Sequence, residues 1–250
     1  LEATSPAIEF RVPNANIRNL ERAVLERVFF VKGEPPPDMD PLLFKTRLAR
    51  FSALLTEHIG SLTPYTREQF LSCYRGHKRA VYEKAFESLD LTGFRDCDAD
   101  LRVFVKAEKT NVSAKPDFVP RLIQPRDPRY GAVYGRYVKP VEHAIYHRID
   151  KVWGSGRTVM KGLNAEQVAR EIFKKWSLYQ RPVAIGLDAS RFDQHVRPDA
   201  LRWVHKIIRA PFSSEERKHL KRLQKLQINN KCTGYVRDGK VRYTSVGGVM

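Results

Sequence analysis

Two aspartates five residues apart, Asp188 and Asp193, follow an apolar run in the segment GLDASRFDQHV at 186–196. The run itself, Pro182 to Leu187, is short and rich in branched residues, which predicts a buried strand with Asp188 at its end. A carboxylate in that place is costly unless something binds it. Mg²⁺ is a natural partner, because it is held by one or two carboxylates together with phosphates and water. Two such ions can clamp both oxygens of an in-line displacement. Taken alone, the spacing fits a strand-end cap more often than a metal ligand.

A second block, FVKAEKTNVSAKPDFVPRLIQPRDPRYGAVYGRY at 104–137, spaces Lys106, Lys109, Lys115 and Arg121 along two expected strands and the loop between them. Spaced cations of this kind suit a triphosphate, and a guanidinium can fork onto two of its oxygens. A solvated basic loop has the same composition. Glu108 reads as a partner for a neighbouring cation. Arg126, Arg129 and Arg136 fit either RNA backbone contacts or surface charge. A third block, YTREQFLSCYRGHKRAVYEKAFESL at 65–89, interleaves Arg75, Lys78 and Arg79 with Tyr74 and Tyr82. Cations among aromatics can grip phosphates and pack on bases; Tyr74 suits a hydrophobic core equally well. His143 and His147 sit four apart, but no third ligand completes a metal set. The chain has no Walker A loop and no Gly-x-Ser-x-Gly elbow.

The elements that must position these residues are legible in outline. Ile17, Leu20, Val24 and Val28 recur at helical spacing, as do Leu43, Leu48, Leu54 and Leu55 beyond a linker-like stretch from Gly33 to Pro41. Thr66 with Gln69 predicts a capping box opening a helix through Phe70 and Tyr74. Residues 101–106 alternate as a strand, and Val119 to Gln124 predicts a second. Val141, Ile145, Ile149 and Val152 mark one helix; Val168, Ile172 and Trp176 mark another, capped by Asn164. Pro198 opens a helix with Leu201, Val204 and Ile208, and Ser213 with Glu216 predicts a capping box before a strongly basic one. Asp238-Gly239 predicts a type I′ hairpin turn between Gly234–Val236 and Val241–Thr244. Helices with scattered short strands indicate an α+β fold rather than an alternating βαβ array.

Composition narrows the partners. Lys and Arg total 45 against 28 Asp and Glu, a formal charge of +17 over 250 residues, which favours polyanions: nucleic acid, nucleotides or an anionic membrane. Hydrophobic residues at 42% suffice for a core without staples. The three cysteines, Cys73, Cys97 and Cys232, lack any disulfide or zinc spacing, and a reducing compartment is expected. Apolar runs are too short to span a bilayer, and the first 30 residues contain no signal-peptide core.

The three blocks together resemble positive-strand viral RNA-dependent RNA polymerases, with GLDASRFDQHV similar to motif A of tombusvirus-type plant viruses. The resemblance covers roughly residues 65 to 250. It implies a right-hand polymerase fold and three segments: a helical extension of the fingers at 1–64, fingers with template-guiding and motif F regions at 65–179, and the start of the palm at 180–250. It implies that Asp188 and the carbonyl of Ala189 bind catalytic Mg²⁺ or Mn²⁺, and that Asp193 senses the ribose 2′-hydroxyl. Lys106, Lys109, Lys115 and Arg121 would then meet the incoming nucleotide, while Arg75, Lys78, Arg79, Arg126 and Arg136 would meet RNA. The implied partners are an RNA template, its nascent strand, ribonucleoside triphosphates and other viral replicase components. The implied location is the host cytoplasm, at membrane-bound replication complexes reached through regions outside this chain. The family's Ser-Gly-x3-Thr loop and Gly-Asp-Asp strand are not in the sequence, so a segment of a longer protein, inactive by itself, is expected. Two other readings remain: a noncatalytic basic RNA-binding module and, more weakly, a metal nuclease, against which the nucleotide-facing block argues.

Overall fold

The computed structural model describes residues 8–247 apart from 39, 41 and 155. Among these, the helices are α1 Ile17–Val24, α2 Ala49–Ile59, α3 Arg67–Ser72, α4 Gly76–Thr92, α5 Pro128–Trp153, α6 Ala165–Trp176, α7 Pro198–Arg209 and α8 Ser214–Lys225. The strands are β1 Phe10–Arg11, β2 Leu101–Val105, β3 Thr110–Asn111, β4 Leu122–Ile123, β5 Asn229–Val236 and β6 Gly239–Val246. Helix and sheet are mixed without βαβ alternation, as the sequence indicates for an α+β fold.

Asp127 before Pro128 is a strong helix start: the Asp127 carboxylate accepts from the Arg129 N–H, and Pro fits a first-turn position whose N–H needs no partner. The helix that follows, α5, has 26 residues and is about 39 Å long at 1.5 Å per residue. It starts more than three turns before the apolar series that announces it, because Gly131, Gly135 and Pro140 mask the helical pattern. Those glycines serve packing. A Cβ on Gly135 would lie 2.5 Å from the Phe70 ring, and one on Gly131 would lie 3.3 Å from Tyr82, so α3 and α4 lie close against α5. On α5, Tyr130, Tyr137 and Val141 form the main core with Phe212, Leu220 and Leu223. Each of the larger buried side chains contributes about 1.5–3 kcal/mol.

The second structural unit is a four-stranded sheet in the order β4-β2-β5-β6, with β2 and β5 parallel and the other pairs antiparallel. Alternation in β2 buries Leu101, Val103 and Val105 against Leu20 and Val24 of α1, with Cys232 beside them. Gly234 allows that approach, since a Cβ there would meet Leu20 and Val103 at 2.9 Å. The β5–β6 hairpin forms as expected, but its loop is Arg237-Asp238, one residue earlier, because Val236 pairs with Gly239. Positive φ is therefore not required of Gly239; its missing Cβ instead leaves room for Ile17. The Asp238 carboxylate accepts from the Ile17 N–H at 3.0 and 3.1 Å, capping α1 from a distant part of the chain.

Other expectations change as well: Leu43 and Leu48 precede α2, which begins at Ala49. The Thr66–Gln69 capping box is present, but α3 ends at Ser72 and Tyr74 precedes α4. The strand expected over Val119 to Gln124 contracts to Leu122–Ile123. Most consequentially, Pro182 to Leu187 is neither a strand nor buried: Val183, Ile185 and Leu187 are 81%, 80% and 93% exposed. An apolar pattern expresses a need for burial; a strand also needs a hydrogen-bonding neighbour, and among the described residues this segment has none. The stretch from Gly33 to Pro41 falls partly outside the described residues.

Candidate active site

The basic loop after β2 is held by the N-terminal segment. β1 pairs with β3, Arg22 forks onto Asp117 at 2.7 and 2.8 Å, and Arg27 donates to the Val119 carbonyl at 2.8 Å. Its two ends are joined by the Lys106 N–H donating to the Arg121 carbonyl at 2.8 Å. Glu108 pairs with Lys106 at 2.5 Å and with Arg121 at 3.4 Å. The Lys106 bond first, helped by the Arg121 charge, holds the Glu108 carboxyl below its usual range. Glu108 is thus the cation partner that the sequence suggests.

The turn after Asp188 is clamped by the same N-terminal segment. From Leu25 to Phe29 the chain takes a π-helical turn, whose register frees carbonyls from the ordinary i→i−4 pattern. Arg191 donates to Glu26 O at 2.8 Å, and the Gln194 amide donates to Phe30 O at 3.1 Å. These bonds hold Arg191 at φ 52°, a left-handed conformation costing about 1–2 kcal/mol in a residue with a Cβ.

Between these parts lies an open cleft of about 620 Å³, bordered by Arg27, Glu108, Lys115, Asp117, Arg121 and Arg191 among others. Four cations thus face two carboxylates, and Asp117 is already engaged by Arg22. Burial first, then the nearby Arg191 charge, pushes the Arg27 guanidinium below its ordinary range, with Asp193 opposing and Arg121 adding to the shift. The Arg27 Nε is buried without a hydrogen-bond partner. Such a cleft suits a compact polyanion.

Sequence reasoning missed Arg27 and Arg191. The π-turn that brings Arg27 inward has no sequence signature, whereas Arg191 stands between the two aspartates of GLDASRFDQHV. Of the residues expected to meet nucleotide, Lys115 and Arg121 border the cleft, Lys106 is tied to Glu108, and Lys109 is exposed outside the lining. Asp188, Ala189 and Asp193 lie in the clamped turn or next to it, with Ser190 and Arg191 between them at the cleft's edge. Asp188 is exposed, so its charge stays in water and burial by itself demands no bound metal. No cluster of three or more His, Cys, Asp or Glu side chains that could hold a metal occurs among the described residues.

The residues expected to meet RNA divide into two groups. Arg75, Lys78 and Arg79 are exposed at the start of α4, a helix with no side-chain cap and no acid in its first turn. Cations there add to the positive end of the helix dipole instead of offsetting it, and a phosphate would compensate both. Arg79 is paired with Glu83, and Lys78 lies 5.2 Å from the Tyr74 ring centre. Tyr74 itself packs against Phe70 and Tyr82, and burial raises its pKa. Arg126 is half-buried: its guanidinium turns inward to the Ala99 carbonyl and to Asn230 Oδ1 at 2.6 Å, packed on Tyr130, and the residue also borders a cleft with Lys78 and Tyr82. It joins α5 to the sheet because those buried oxygens need donors. Arg136 is half-buried and donates to Tyr65 O at 2.6 Å, which ties α5 to the segment before α3.

If α4 carries phosphates, neutralising Arg75, Lys78 and Arg79 together is expected to flatten the dependence of log affinity on log salt by about 2, at roughly 0.7 per single-strand phosphate. Fluorescence anisotropy of a single-stranded RNA across a salt series measures the slope. An unchanged slope removes α4 from the RNA path.

No helix among the described residues is long and apolar enough to cross a membrane. A family profile described as "Viral RNA dependent RNA polymerase" matches residues 1–250. The chain is 47% identical over 247 residues to the RNA-directed RNA polymerase of Maize chlorotic mottle virus, covering 97% of this chain and 25% of that protein. It is 43% identical to that of Tobacco necrosis virus strain D over 96% of this chain and 33% of the relative, and 42% identical to that of Carnation mottle virus over 98% and 32%. The chain thus spans a quarter to about a third of the length of these curated relatives. The profile over the whole sequence, and identities above 40% across nearly all of it, establish that the chain belongs to the viral RNA-dependent RNA polymerase family.

Proposed function

We propose that this chain is the fingers and the start of the palm of an enzyme that adds ribonucleotides to an RNA 3′ end on a viral RNA template. The observation that carries the reading is the cleft in which Lys115 and Arg121 from the basic loop meet Arg27 and Arg191 beside the aspartate segment. In this reading, positioning and charge neutralisation are the protein's main contributions. Arg121, Arg27, Arg191 and Lys115 orient a triphosphate; Asp193 accepts from the ribose 2′-hydroxyl; Arg75, Lys78 and Arg79 lead the template. Asp188 and the Ala189 carbonyl would hold Mg²⁺ or Mn²⁺, and one carboxylate with phosphates and water is a donor set compatible with Mg²⁺. The ion would lower the charge barrier between the attacking 3′-hydroxyl and the phosphate. With one such carboxylate, the chain by itself is proposed to bind RNA without polymerising. The segments 1–64, 65–179 and 180–250, the replicase partners and the location at membrane-bound complexes in the host cytoplasm belong to the same proposal.

The test uses the full-length protein. Arg121→Ala is expected to raise the KM for ribonucleoside triphosphate about 10- to 150-fold, the range for losing hydrogen bonds to a charged group, with RNA affinity nearly unchanged. A fall in RNA affinity with the KM unaltered would favour the noncatalytic RNA-binding module.

A further inference from the structure

The four-stranded sheet buries one face against α1 and leaves the other open. Alternation places Arg102 and Phe104 of β2 on the open face, with Lys231 and Tyr235 of β5 and Lys240 and Arg242 of β6. Register fixes their arrangement. Arg102 pairs with Thr233, which pairs with Arg242, so the two arginines flank β5 about 10 Å apart. One residue beyond the Val103–Gly234 pair come Phe104 and Tyr235, on neighbouring strands about 4.8 Å apart. Their exposures are 48% and 66%, and Lys240, paired with Tyr235 in register, lies 5.7 Å from its ring centre.

A solvated sheet face ordinarily mixes charges of both signs. Here the outward strand positions hold four cations and no acid among the described residues, and the aromatics stand in the middle of the sheet rather than at an edge. Cations about aromatic faces are the chemistry of single-stranded nucleic acid: phosphates meet the cations, and bases stack on the rings whatever their identity. The face also continues from the α4 region. Arg102 lies 3.9 Å from Asp127, which lines a cleft of about 490 Å³ with Lys78, Tyr82 and Arg126.

We propose that the open face of this sheet is a second single-stranded RNA platform, with Phe104 and Tyr235 stacking bases and Arg102, Lys231, Lys240 and Arg242 holding phosphates. The choice of RNA over other polyanions rests on the polymerase reading; the stacking and charge geometry do not. The face adjoins the α4 cleft, and none of its six named residues borders the nucleotide cleft of Arg121.

The experiment measures binding of a labelled oligouridylate of about 12 nucleotides to the full-length protein. Phe104→Leu with Tyr235→Leu keeps apolar side chains but removes the rings, and is expected to weaken binding about fivefold or more per ring while leaving the salt slope intact. Changing Arg102, Lys231, Lys240 and Arg242 to Gln is expected to flatten the slope by about 2.8, four phosphates at roughly 0.7 each. RNA containing 5-iodouridine should crosslink to Phe104 or Tyr235 in the unmodified protein, a readout that holds even if a variant fails to fold. Wild-type affinity in the leucine pair with crosslinks confined to α4 would overturn the proposal. So would protection of both rings from hydroxyl radicals without RNA, which would mean that other polypeptide covers the face. Loss of binding to phosphatidylserine vesicles with RNA binding unchanged would make it a membrane surface instead. If this face fails while the α4 variant still flattens the slope and Arg121→Ala still raises the KM, only the platform is lost; failure of all three would remove the polymerase reading.

Discussion

Asp188→Ala is expected to reduce ribonucleotide incorporation by the full-length protein to background, while Asp193→Ala leaves a slower enzyme that discriminates poorly between ribose and deoxyribose. The two acids stand five residues apart and are proposed to differ in task. At Asp188 a methyl group offers no donor to a hard divalent cation, and nothing else in the described part of the chain forms a carboxylate cluster that could replace it. At Asp193 the carboxylate is half-buried near Arg27, whose charge senses it. Without a 2′-hydroxyl to pair with, a polar group there is left unsatisfied, which costs on the order of 1–3 kcal/mol, or about 5- to 150-fold in selectivity. Asp193→Ala should therefore slow NTP use more than dNTP use and narrow the ratio of their kcat/KM values. Primer extension with each substrate measures both effects. Normal turnover in Asp188→Ala, or an unchanged ratio in folded Asp193→Ala, would sink the assignment of this segment.

The second large effect is on stability. Asp98 and Arg129 form an ion pair at 3.1 Å with side chains only 4% and 9% exposed. The Arg129 Nε–H is not aligned for a hydrogen bond, so this contact is ionic. Asp98 also accepts from the Arg95 N–H at 2.9 Å, while Arg129 donates to Ser88 Oγ at 2.6 Å and to the Gly93 carbonyl. The pair therefore fastens the end of α4 and the turn before β2 to the first turn of α5. Asp98→Ala leaves a buried guanidinium without its counter-charge, a loss expected at about 3–5 kcal/mol. At roughly 2–4 °C per kcal/mol for a protein of this size, Tm should fall by about 6–20 °C. Replacing both partners with apolar residues of similar volume should restore most of the loss, because the desolvation of two charges disappears with them. Thermal unfolding of the single and double variants separates the cases; a loss below about 1 kcal/mol in Asp98→Ala would mean that the charge is not buried as described.

What the sequence determined by itself was local or chemical. Thr66 with Gln69 forms the expected capping box and Asn164 the expected cap, since a cap is decided within four residues. The alternation of Leu101 to Val105 gave the strand and its buried face, and the aspartate segment and basic blocks gave the family. Ser213 caps α8 as expected, although Glu216 turns to the Tyr137 hydroxyl, because a tertiary partner competes with the local one.

Tertiary structure decided what depends on residues far apart in the chain. Arg126 looked like any surface cation, yet Ala99 and Asn230, 27 and 104 positions away, draw it inside. Arg27 and Arg191 became cleft residues only when a π-turn exposed the Glu26 carbonyl to a segment 165 positions later. The start of α5 was hidden because its glycines answer to Phe70 and Tyr82 rather than to helix propensity. Pro182 to Leu187 shows the same division from the other side. Its pattern states which side chains should leave water, but backbone pairing and burial require a neighbour, and periodicity cannot supply one.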